Sequence, residues 1–513
     1  MKRRFLTVPF LFVLASLLQL GYVSSPVVAP DQILRPLLIL WFLVALCIWP
    51  AYWLTRDWHW AVILLTTLVF GFALSADFFS VVVVVLLIEI VCWLAFVWIR
   101  RSRLRLGHFM NLLLGTSLFF AAFALYLEST ILARIPWTSY RQAVFDARNY
   151  SLRSLTSPSA KRDIYFIVVD GYARSDILQE MFAFDNSEFI AYLRDKGFVV
   201  PTSGRSNYPA TPLSIASMLN MDYIQLLVPP FDNIPYRWLM TPLIDSSRTR
   251  ALLESQGYES ISMSTNWTIT DNVTTDRYFH PFPVMLTDFE GFVLDRTPLH
   301  FMEPVLKSFV SLSNAESHRE IIQYNFATLA DLPNMRGPKF IFVHLISPHP
   351  PFVFDQDGNP LDSTQSFTFQ DANEFPGSLG EYQKRYIDQV QFVNHQLRKT
   401  IESILAQSDV PPIIILQGDH GSGLLTDLAS PDKTCIRERF SPFAAYYFPD
   451  VEQDEIPPDT SAVNLFRIVF NQYFDAQLPL LESKQYFYKD TQAYYDFEDV
   501  TSRLNEACVL PKE

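Results

Sequence analysis

The sequence is short of cysteine, of basic residues and of repeated segments. Its 40 Lys and Arg are outnumbered by 53 Asp and Glu, and the resulting net charge of -13 argues against nucleic acid as a partner. The sequence contains no internal repeat and no low-complexity tract, which excludes a repeat architecture.

Cysteine is the scarcest of these residues, with four in a chain of 513. Cys47 and Cys92 lie in long apolar stretches, where packing is their expected role. Cys435 and Cys508 lie in the remainder of the chain. Outside the cytoplasm these two thiols could form a disulfide, and two free buried thiols are the alternative.

Hydrophobic residues are abundant, at 50% of the chain, and are concentrated before residue 132. Five apolar stretches occur there, each long enough to cross about 30 Å of hydrocarbon as a helix. Apart from Glu89 they carry almost no internal charge, which argues against a transporter. Because four spans follow the first and no clear cleavage site is present, a signal peptide is disfavoured. The predicted spans are residues 5–23, 33–54, 60–77, 80–99 and 109–131.

Basic residues predict the orientation of these spans. Residues 2–4 are Lys-Arg-Arg, and four arginines lie between residues 100 and 105. If both groups are cytoplasmic, the fifth span ends outside. We therefore predict a multi-pass protein of the cell membrane. Its predicted parts are a five-helix transmembrane domain at 1–132, a juxtamembrane helix and linker at 133–160, and an extracytoplasmic catalytic domain at 161–513.

Beyond the spans, short apolar strands alternate with helical patterns. This alternation predicts an α/β domain with a mainly parallel sheet flanked by helices. Ligands bind such sheets beyond the carboxyl ends of the strands. The predicted strands are 163–169, 259–264, 339–345 and 412–417, and the predicted helices include 140–155 on the membrane surface, 187–196, 211–220, 243–256, 317–330, 380–407 and 462–474.

Two predicted strands end in residues that suit a divalent metal. Asp419 and His420 stand between glycines after the strand 412–417, and a surface turn is the alternative reading. Asp170 ends the first strand, before Gly171, and is either a further metal ligand or the cap of the next helix.

Thr211 begins the predicted helix 211–220, which we expect to be amphipathic. Its hydroxyl is either an N-cap or a nucleophile at a helix N-terminus, where backbone N–H groups favour a phosphate. A metal bound to that oxygen would lower its pKa. Asp170, Thr211, Asp419 and His420 form one site with four oxygen and nitrogen ligands, which suits Zn²⁺ or Mn²⁺, with Mg²⁺ as a further option.

His344 and His349 come at the end of the third strand, five residues apart. One histidine there would be structural, but two fit anion contacts, protonation of a leaving group or metal binding. Arg174 could also bind the anion, or form a surface ion pair instead. A second metal would need these histidines and the remote Asp355 and Asp357, so one metal is predicted.

These segments together resemble the sulfatase-like branch of the alkaline phosphatase superfamily over about residues 160–475. The five spans ahead of the domain are similar to those of the membrane-bound lipoteichoic acid synthase-like phosphoglycerol transferases and the lipid A phosphoethanolamine transferases. The catalytic Thr of these transferases matches Thr211, their His-x-x-x-x-His-x-Pro motif matches residues 344–351, and their Asp-His-Gly matches 419–421. They carry Glu where this chain has Asp170. Sulfatases proper have paired Asp there, and Cys or Ser where this chain has Thr211.

The resemblance implies a metal-dependent, two-step transfer of a phospholipid head group, of the phosphoglycerol or phosphoethanolamine type, to an envelope glycan or lipid. Thr211 would form a phospho-threonine, and His344 and His349 would hold phosphoryl oxygens or protonate the leaving group. The nearest alternative is a hydrolase that uses the same intermediate with water as acceptor. A non-catalytic membrane scaffold is the other alternative.

Overall fold

The computed structural model divides into two compact units, which we describe separately. Met1–Ile135 and Leu286–Ser313 form unit 1, and Pro136–Met285 and Asn314–Glu513 form unit 2. The chain therefore passes between the units three times. The structure describes residues 3–24, 26–73, 106–152, 155–156, 158, 160–295, 301–312, 314–361 and 371–509.

The N-terminal part of unit 1 contains four long apolar helices among the described residues. They are Val8–Ser24, Leu34–Thr55, Trp58–Ala73 and Leu106–Leu132. The first of them packs against the other three. By length and hydropathy, the stretch Pro30–Thr55 is the one described helix that could cross a membrane, while Phe5–Gly21, Trp58–Val69 and Leu113–Leu127 are shorter apolar helices.

These helices coincide with four of the five predicted spans, and five membrane crossings remain a prediction. The predicted span 80–99, with Glu89 and Cys92, lies outside the described residues, as do Lys2 and the arginines between 100 and 105.

A segment from the middle of the chain also belongs to unit 1. Its helix Asp288–Asp295 supplies Phe289 and Val293 to an apolar cluster with residues of the long helices. The backbone N–H of Phe289 donates to Gln32 Oε1 at 3.2 Å, and Glu290 forms an ion pair with Arg35. The domain boundary predicted at residue 161 did not anticipate that a segment from the middle of the chain belongs to unit 1. A short helix, Glu303–Leu306, completes the segment.

Unit 2 is built on a six-stranded sheet whose order is β3-β2-β4-β1-β5-β6. All neighbouring strands are parallel except β5 and β6. A separate antiparallel pair is formed by β7 and β8. The strands are β1 Ile164–Val169, β2 Glu259–Met263, β3 Arg277–Phe279, β4 Lys339–Leu345, β5 Ile413–Gln417, β6 Ala444–Tyr447, β7 Tyr486–Tyr488 and β8 Phe497–Asp499.

The prediction of an α/β domain with a mainly parallel sheet is confirmed. The four predicted strands are β1, β2, β4 and β5, each within one residue of its predicted limits. Of these, β1, β4 and β5 were recognisable because continuous apolar runs mark strands that are buried on both faces. The three central strands end level with one another, since Val168 of β1 is paired with His344 of β4 and with Gln417 of β5.

Helices pack on both faces of this sheet. On one face, Ala315–Asp331 and Leu379–Gln407 contribute to the main apolar core. On the other face, the ring of Phe466 in the helix Leu465–Phe474 contacts Phe166 of β1. The remaining helices of unit 2 are Trp137–Arg148, Ser175–Phe182, Ser187–Asp195, Thr211–Asn220, Ile224–Leu227, Thr241–Asp245, Arg248–Ser255 and Ile436–Arg439.

Two predicted helices differ from the observed ones. The predicted helix 243–256 is two helices, because Ser247 adopts an extended conformation and accepts a hydrogen bond from Arg250 N as an N-cap. The helix Thr211–Asn220 is buried over its whole length and is not amphipathic. Its polar side chains Ser214, Ser217 and Asn220 bond to backbone carbonyls, so no polar face needs water.

The predicted membrane-surface helix 140–155 is the helix Trp137–Arg148, which belongs to unit 2. One of its faces is buried there, and the Tyr140 hydroxyl donates to the Leu239 carbonyl at 2.6 Å. That burial leaves only the opposite face for a membrane surface.

Cys435 and Cys508 form a disulfide, with their Cα atoms 5.5 Å apart. The disulfide considered from the sequence is therefore present, and the alternative of two free buried thiols is wrong. The bond joins the start of the helix Ile436–Arg439 to the C-terminal end of the described chain. Cys47 is free.

Candidate active site

The site is built where the three central strands of unit 2 end. Asp170 follows β1 directly, and Asp419 and His420 follow β5. His344 is the penultimate residue of β4 itself, inside the predicted strand 339–345. Because these strands end level, their polar side chains meet at one edge of the sheet, where all four are buried.

Three of the four predicted metal ligands lie close to one ring nitrogen of the fourth, His420. His420 Nε2 lies 3.2 Å from Thr211 Oγ1, 3.3 Å from Asp419 Oδ2 and 3.5 Å from Asp170 Oδ1. The other nitrogen, Nδ1, lies 2.8 Å from the Gly421 carbonyl and donates to it. Nε2 therefore carries a lone pair, which is the form in which imidazole binds a metal, and in this structure it accepts from Arg439 Nη2 at 3.2 Å.

The carboxylates around this nitrogen have spare oxygen atoms. Asp170 Oδ1 and Asp419 Oδ2 are buried without a hydrogen-bond partner. A buried carboxylate oxygen left in that state is costly unless a cation completes it. The donor atoms also lie close enough to share an ion in two overlapping groups, Asp170 with His349 and His420, and Asp170 with His344 and Asp419. The residues therefore fit a divalent metal.

Thr211 stands at the beginning of its helix but does not cap it. Ala210 is the N-cap residue, and no side chain caps this end. The Thr211 hydroxyl instead contacts His420 Nε2. The N-cap alternative is therefore not what the structure has.

His344 is held in a chain of hydrogen bonds that ends on Asp170. Its Nε2 lies 3.1 Å from Asp170 Oδ2, and because a carboxylate only accepts, Nε2–H is the donor. Its Nδ1 then accepts from the Thr270 hydroxyl at 3.0 Å. In this arrangement His344 orients the carboxylate of Asp170, a role not anticipated from the sequence.

His349 is the member of the group that reaches solvent, with 12% of its side chain exposed. Its Nδ1 donates to the Pro350 carbonyl at 2.6 Å, which leaves Nε2 facing the site. Nε2 lies 3.6 Å from Asp371 Oδ1, an oxygen without a hydrogen-bond partner. Asp371 was not predicted, because it belongs to no strand end.

Arg439 is the second residue that the sequence did not reveal. Its guanidinium is buried, with Nη1 3.1 Å from Asp371 Oδ2 and Nη2 3.2 Å from His420 Nε2. It therefore adds a positive charge beside the carboxylates. The only signal in the sequence is the pair Glu438 and Arg439 just before the apolar run that forms β6, which has no pattern specific to a site.

Three predicted residues are not brought into this group. The Arg174 guanidinium pairs with Asp176 at 2.7 and 2.8 Å and donates to the Gly204 carbonyl, which favours the ion-pair alternative over anion binding. Asp355 accepts from the backbone of Asp357 and Asn359 in an exposed turn. Its role there is that of a turn residue, so Asp355 and Asp357 do not supply a second metal site.

The glycines beside the site serve backbone packing. A side chain at Gly421 would overlap the carbonyl of Glu438, and one at Gly418 would lie 2.9 Å from the Tyr172 carbonyl. Gly171 has a φ of +67°, and its N–H donates to Asp419 Oδ1 at 3.0 Å. These glycines let three chain segments approach closely and so fix the carboxylate of Asp419.

Burial is the largest influence on the ionisation of Asp419 and His420. It raises the pKa of Asp419 to about 6, and the charge of Asp170 adds to the rise. It lowers the pKa of His420 to about 3, and the charge of Arg439 acts in the same direction. This imidazole is therefore neutral near pH 7, as a metal ligand must be.

Asp170 and His349 shift in opposite directions for a common reason. Burial opposes ionisation of Asp170, but His349 and His344 outweigh it and hold the pKa of this carboxyl below its usual range. Burial also opposes a charge on His349, but Asp170 and Asp371 outweigh it and raise the pKa of that imidazole. Both carboxylates therefore favour the protonated form of His349.

Comparison with known proteins assigns the chain to a family. A family model described as Sulfatase matches residues 162–471. Among solved structures, the periplasmic domain of EptC from Escherichia coli has 12% identity and a TM-score of 0.44, covering 69% of this chain and 97% of that domain. The integral membrane lipooligosaccharide phosphoethanolamine transferase A from Neisseria meningitidis has 11% identity and a TM-score of 0.41, covering 79% of this chain and 76% of that chain. No curated protein matches.

Proposed function

The chain belongs to the sulfatase family, and from this premise we propose that it is a membrane-anchored, metal-dependent transferase. It moves a phospholipid-derived head group, of the phosphoglycerol or phosphoethanolamine type, to an envelope glycan or lipid through a phospho-threonine on Thr211. The observation that carries the proposal is the position of the Thr211 hydroxyl, 3.2 Å from His420 Nε2 and beside two carboxylates with unpartnered oxygens.

Asp170, Asp419 and His420, with Thr211, would hold one divalent cation, Zn²⁺ or Mn²⁺ in the first place and Mg²⁺ as a further option. When bound, the cation would stabilise the ionised hydroxyl and neutralise charge on the phosphoryl oxygens. Family membership and the spare carboxylate oxygens support a divalent metal. His344 keeps Asp170 in position through its Nε2–H.

In the first step, the Thr211 hydroxyl gives up its proton to water, and Oγ1 attacks the phosphorus of the donor phosphodiester. A bond forms between Oγ1 and phosphorus, and the bond from phosphorus to the diacylglycerol oxygen breaks. His349, which reaches solvent and whose pKa is raised by the charges of Asp170 and Asp371, would donate the proton that the leaving oxygen takes up. The Arg439 guanidinium stabilises the negative charge that develops on the phosphoryl oxygens.

In the second step, an acceptor hydroxyl attacks the phospho-threonine. His349 takes the proton of that hydroxyl, the bond from phosphorus to Thr211 Oγ1 breaks, and Oγ1 takes a proton from water, which restores the threonine hydroxyl. Water could take the place of the acceptor, which gives the alternative of a membrane-anchored hydrolase. The two reactions differ only in this step.

Anchoring in the membrane suits this reaction because the donor is a membrane lipid. We keep the predicted arrangement of five spans at 1–132, a junction at 133–160 and an extracytoplasmic catalytic domain from 161, with residues 286–313 assigned to the membrane unit. The connection ties unit 2 covalently to the bilayer that contains its donor.

The proposal is tested by trapping the intermediate. Full-length protein is incubated with head-group-labelled phosphatidylglycerol or phosphatidylethanolamine, quenched in acid and digested, and the adduct is weighed by mass spectrometry. We expect a phosphoryl adduct on the Thr211 peptide that is absent from Thr211→Ala and present in the matched control Ser214→Ala. Turnover that survives Thr211→Ala would refute the mechanism.

The same incubation separates transferase from hydrolase. A modified acceptor indicates transfer, and release of the free phosphate ester without an acceptor indicates hydrolysis. The other alternative is a non-catalytic scaffold. Such a protein would have no use for buried carboxylate oxygens without hydrogen-bond partners. Metal analysis of the purified protein that found no bound ion would favour the scaffold.

A further inference from the structure

The segment 301–310 of unit 1 presents large apolar side chains to the outside. Met302, Val305 and Phe309 are 47%, 70% and 62% exposed, and the helix Glu303–Leu306 has no buried residue. Phe301 is 59% exposed beside them. So many exposed apolar side chains in ten residues exceed what scattered surface hydrophobics explain.

The position of this segment in unit 1 indicates whether its exposed side chains face lipid or protein. The residues that follow it, Ser311 and Leu312, are buried, and the Ser311 hydroxyl accepts from Leu286 N at 2.9 Å. Leu286 leads into the helix Asp288–Asp295, which packs on the apolar helices. The segment is therefore fixed to the unit whose other exposed side chains are lipid-facing by composition, namely Leu34, Leu38, Phe42, Trp49 and Trp53 on one long helix.

The contacts also indicate at which end of the long helices the segment lies. Gln32 and Arg35, which contact Phe289 and Glu290, are at the start of the helix Leu34–Thr55. In the proposed topology this helix starts on the extracytoplasmic side. The segment is then level with the outer head-group region.

We infer that residues 301–310 are a membrane-interface element that inserts Met302, Val305 and Phe309 into the outer leaflet. Short segments of this kind lie about 5–10 Å deep, at the boundary between head groups and acyl chains. The element provides an attachment to the bilayer in addition to the spanning helices. This inference rests on the proposed membrane topology.

Depth-dependent quenching tests it on the full-length chain. In a background of Cys47→Ala and Cys92→Ala that retains the Cys435–Cys508 disulfide, Phe309→Cys carries an environment-sensitive fluorophore. The protein is reconstituted in vesicles of phosphatidylcholine and phosphatidylglycerol, with or without nitroxide-labelled lipid. The matched controls are Phe42→Cys, on the helix Leu34–Thr55, and Val410→Cys, an exposed apolar position of unit 2.

We expect nitroxide lipid to quench the label at Phe309 at least about threefold more than the label at Val410, and aqueous iodide to quench it less. Val305→Cys should give the same result, which protects the test against a local defect at one position. Equal quenching at Phe309 and Val410 by both reagents would overturn the inference. Protection from iodide without quenching by lipid would also overturn it, because a protein surface would then be the cover.

The control on the spanning helix separates this inference from its premise. If Phe42 is quenched by lipid and Phe309 is not, the topology stands and the interface element fails. If neither is quenched, the topology fails and the inference fails with it. No substrate is present, so the result is independent of phosphoenzyme formation on Thr211.

Discussion

The charged side chains at the two ends of the central strands differ in whether all their polar atoms have partners within the protein. At the amino end, Lys339 Nζ lies 2.7 Å from Asp163 Oδ2 and donates to the Met335 carbonyl, while Lys339 N donates to Asp163 Oδ1. At the carboxyl end, Asp170 and Asp419 each retain an oxygen without a hydrogen-bond partner. The charges at the amino end are paired within the protein, whereas the carboxylates at the carboxyl end each have an oxygen that lacks a partner.

Burial of charge therefore does not by itself mark a binding site. Both ends have polar residues flanking apolar strands, so the sequence pattern is similar. A pair whose donors and acceptors are all used stabilises one packing arrangement, whereas spare carboxylate oxygens next to an imidazole lone pair bind something else.

Asp419→Asn should remove the metal and the activity while the fold persists. The amide has one acceptor oxygen and no charge, so metal affinity should fall by at least about 100-fold, the upper range seen for residues that only support ligands. Metal content and turnover are measured on the same sample. A variant that retains full metal occupancy would show that Asp419 is not a ligand.

Lys339→Met should lower the stability of the fold without affecting metal binding. It leaves the carboxylate of Asp163 without its cation at a largely buried position, and we expect a loss of about 2–3 kcal/mol in the free energy of unfolding. Metal content per folded molecule should be unchanged. Denaturant titration checks the first expectation, and metal analysis of the folded fraction checks the second. Loss of metal from folded protein would contradict the separation of the two ends.

Replacing both Cys435 and Cys508 by Ser should cost about 2 kcal/mol, at the lower end for a disulfide. The same region is also held by Arg503, which pairs with Asp432 and donates to the Pro431 carbonyl, so the loss should be partial. Thermal unfolding of the double variant and of the reduced wild type should agree. If turnover falls more than about tenfold, the disulfide also supports Arg439, four residues further on.

Arg174→Gln should have the smallest effect on turnover, within about twofold, because its guanidinium already pairs with Asp176. The matched comparison is Arg439→Gln, which removes the buried guanidinium next to His420 and should reduce kcat strongly. Steady-state kinetics on both variants decides between them. A large increase in KM for Arg174→Gln would restore the anion-binding role first expected for it.

The sequence was informative where one physical rule determines the pattern. Strands buried on both faces need continuous apolar runs, so β1, β4 and β5 were visible, and the edge they share directed attention to Asp170, His344 and Asp419. Short strands such as β3, at Arg277–Phe279, leave too few residues for a pattern.

What the sequence did not reveal depends on tertiary contacts. Asp371 and Arg439 reach the site from a loop and a four-residue helix, and only their mutual distance of 3.1 Å makes them a pair. The helix Thr211–Asn220 looked amphipathic because its serines and Asn220 find backbone partners only in the folded chain.

The exchange of residues 286–313 between the units has a consequence for preparing unit 2 alone. A soluble fragment beginning at residue 136 would still contain this segment but would lack the helices that bury Phe289 and Val293. Its apolar face would then be exposed to water and would promote aggregation. Replacing the segment by a short polar bridge between Met285 and Asn314 would remove that face from such a fragment.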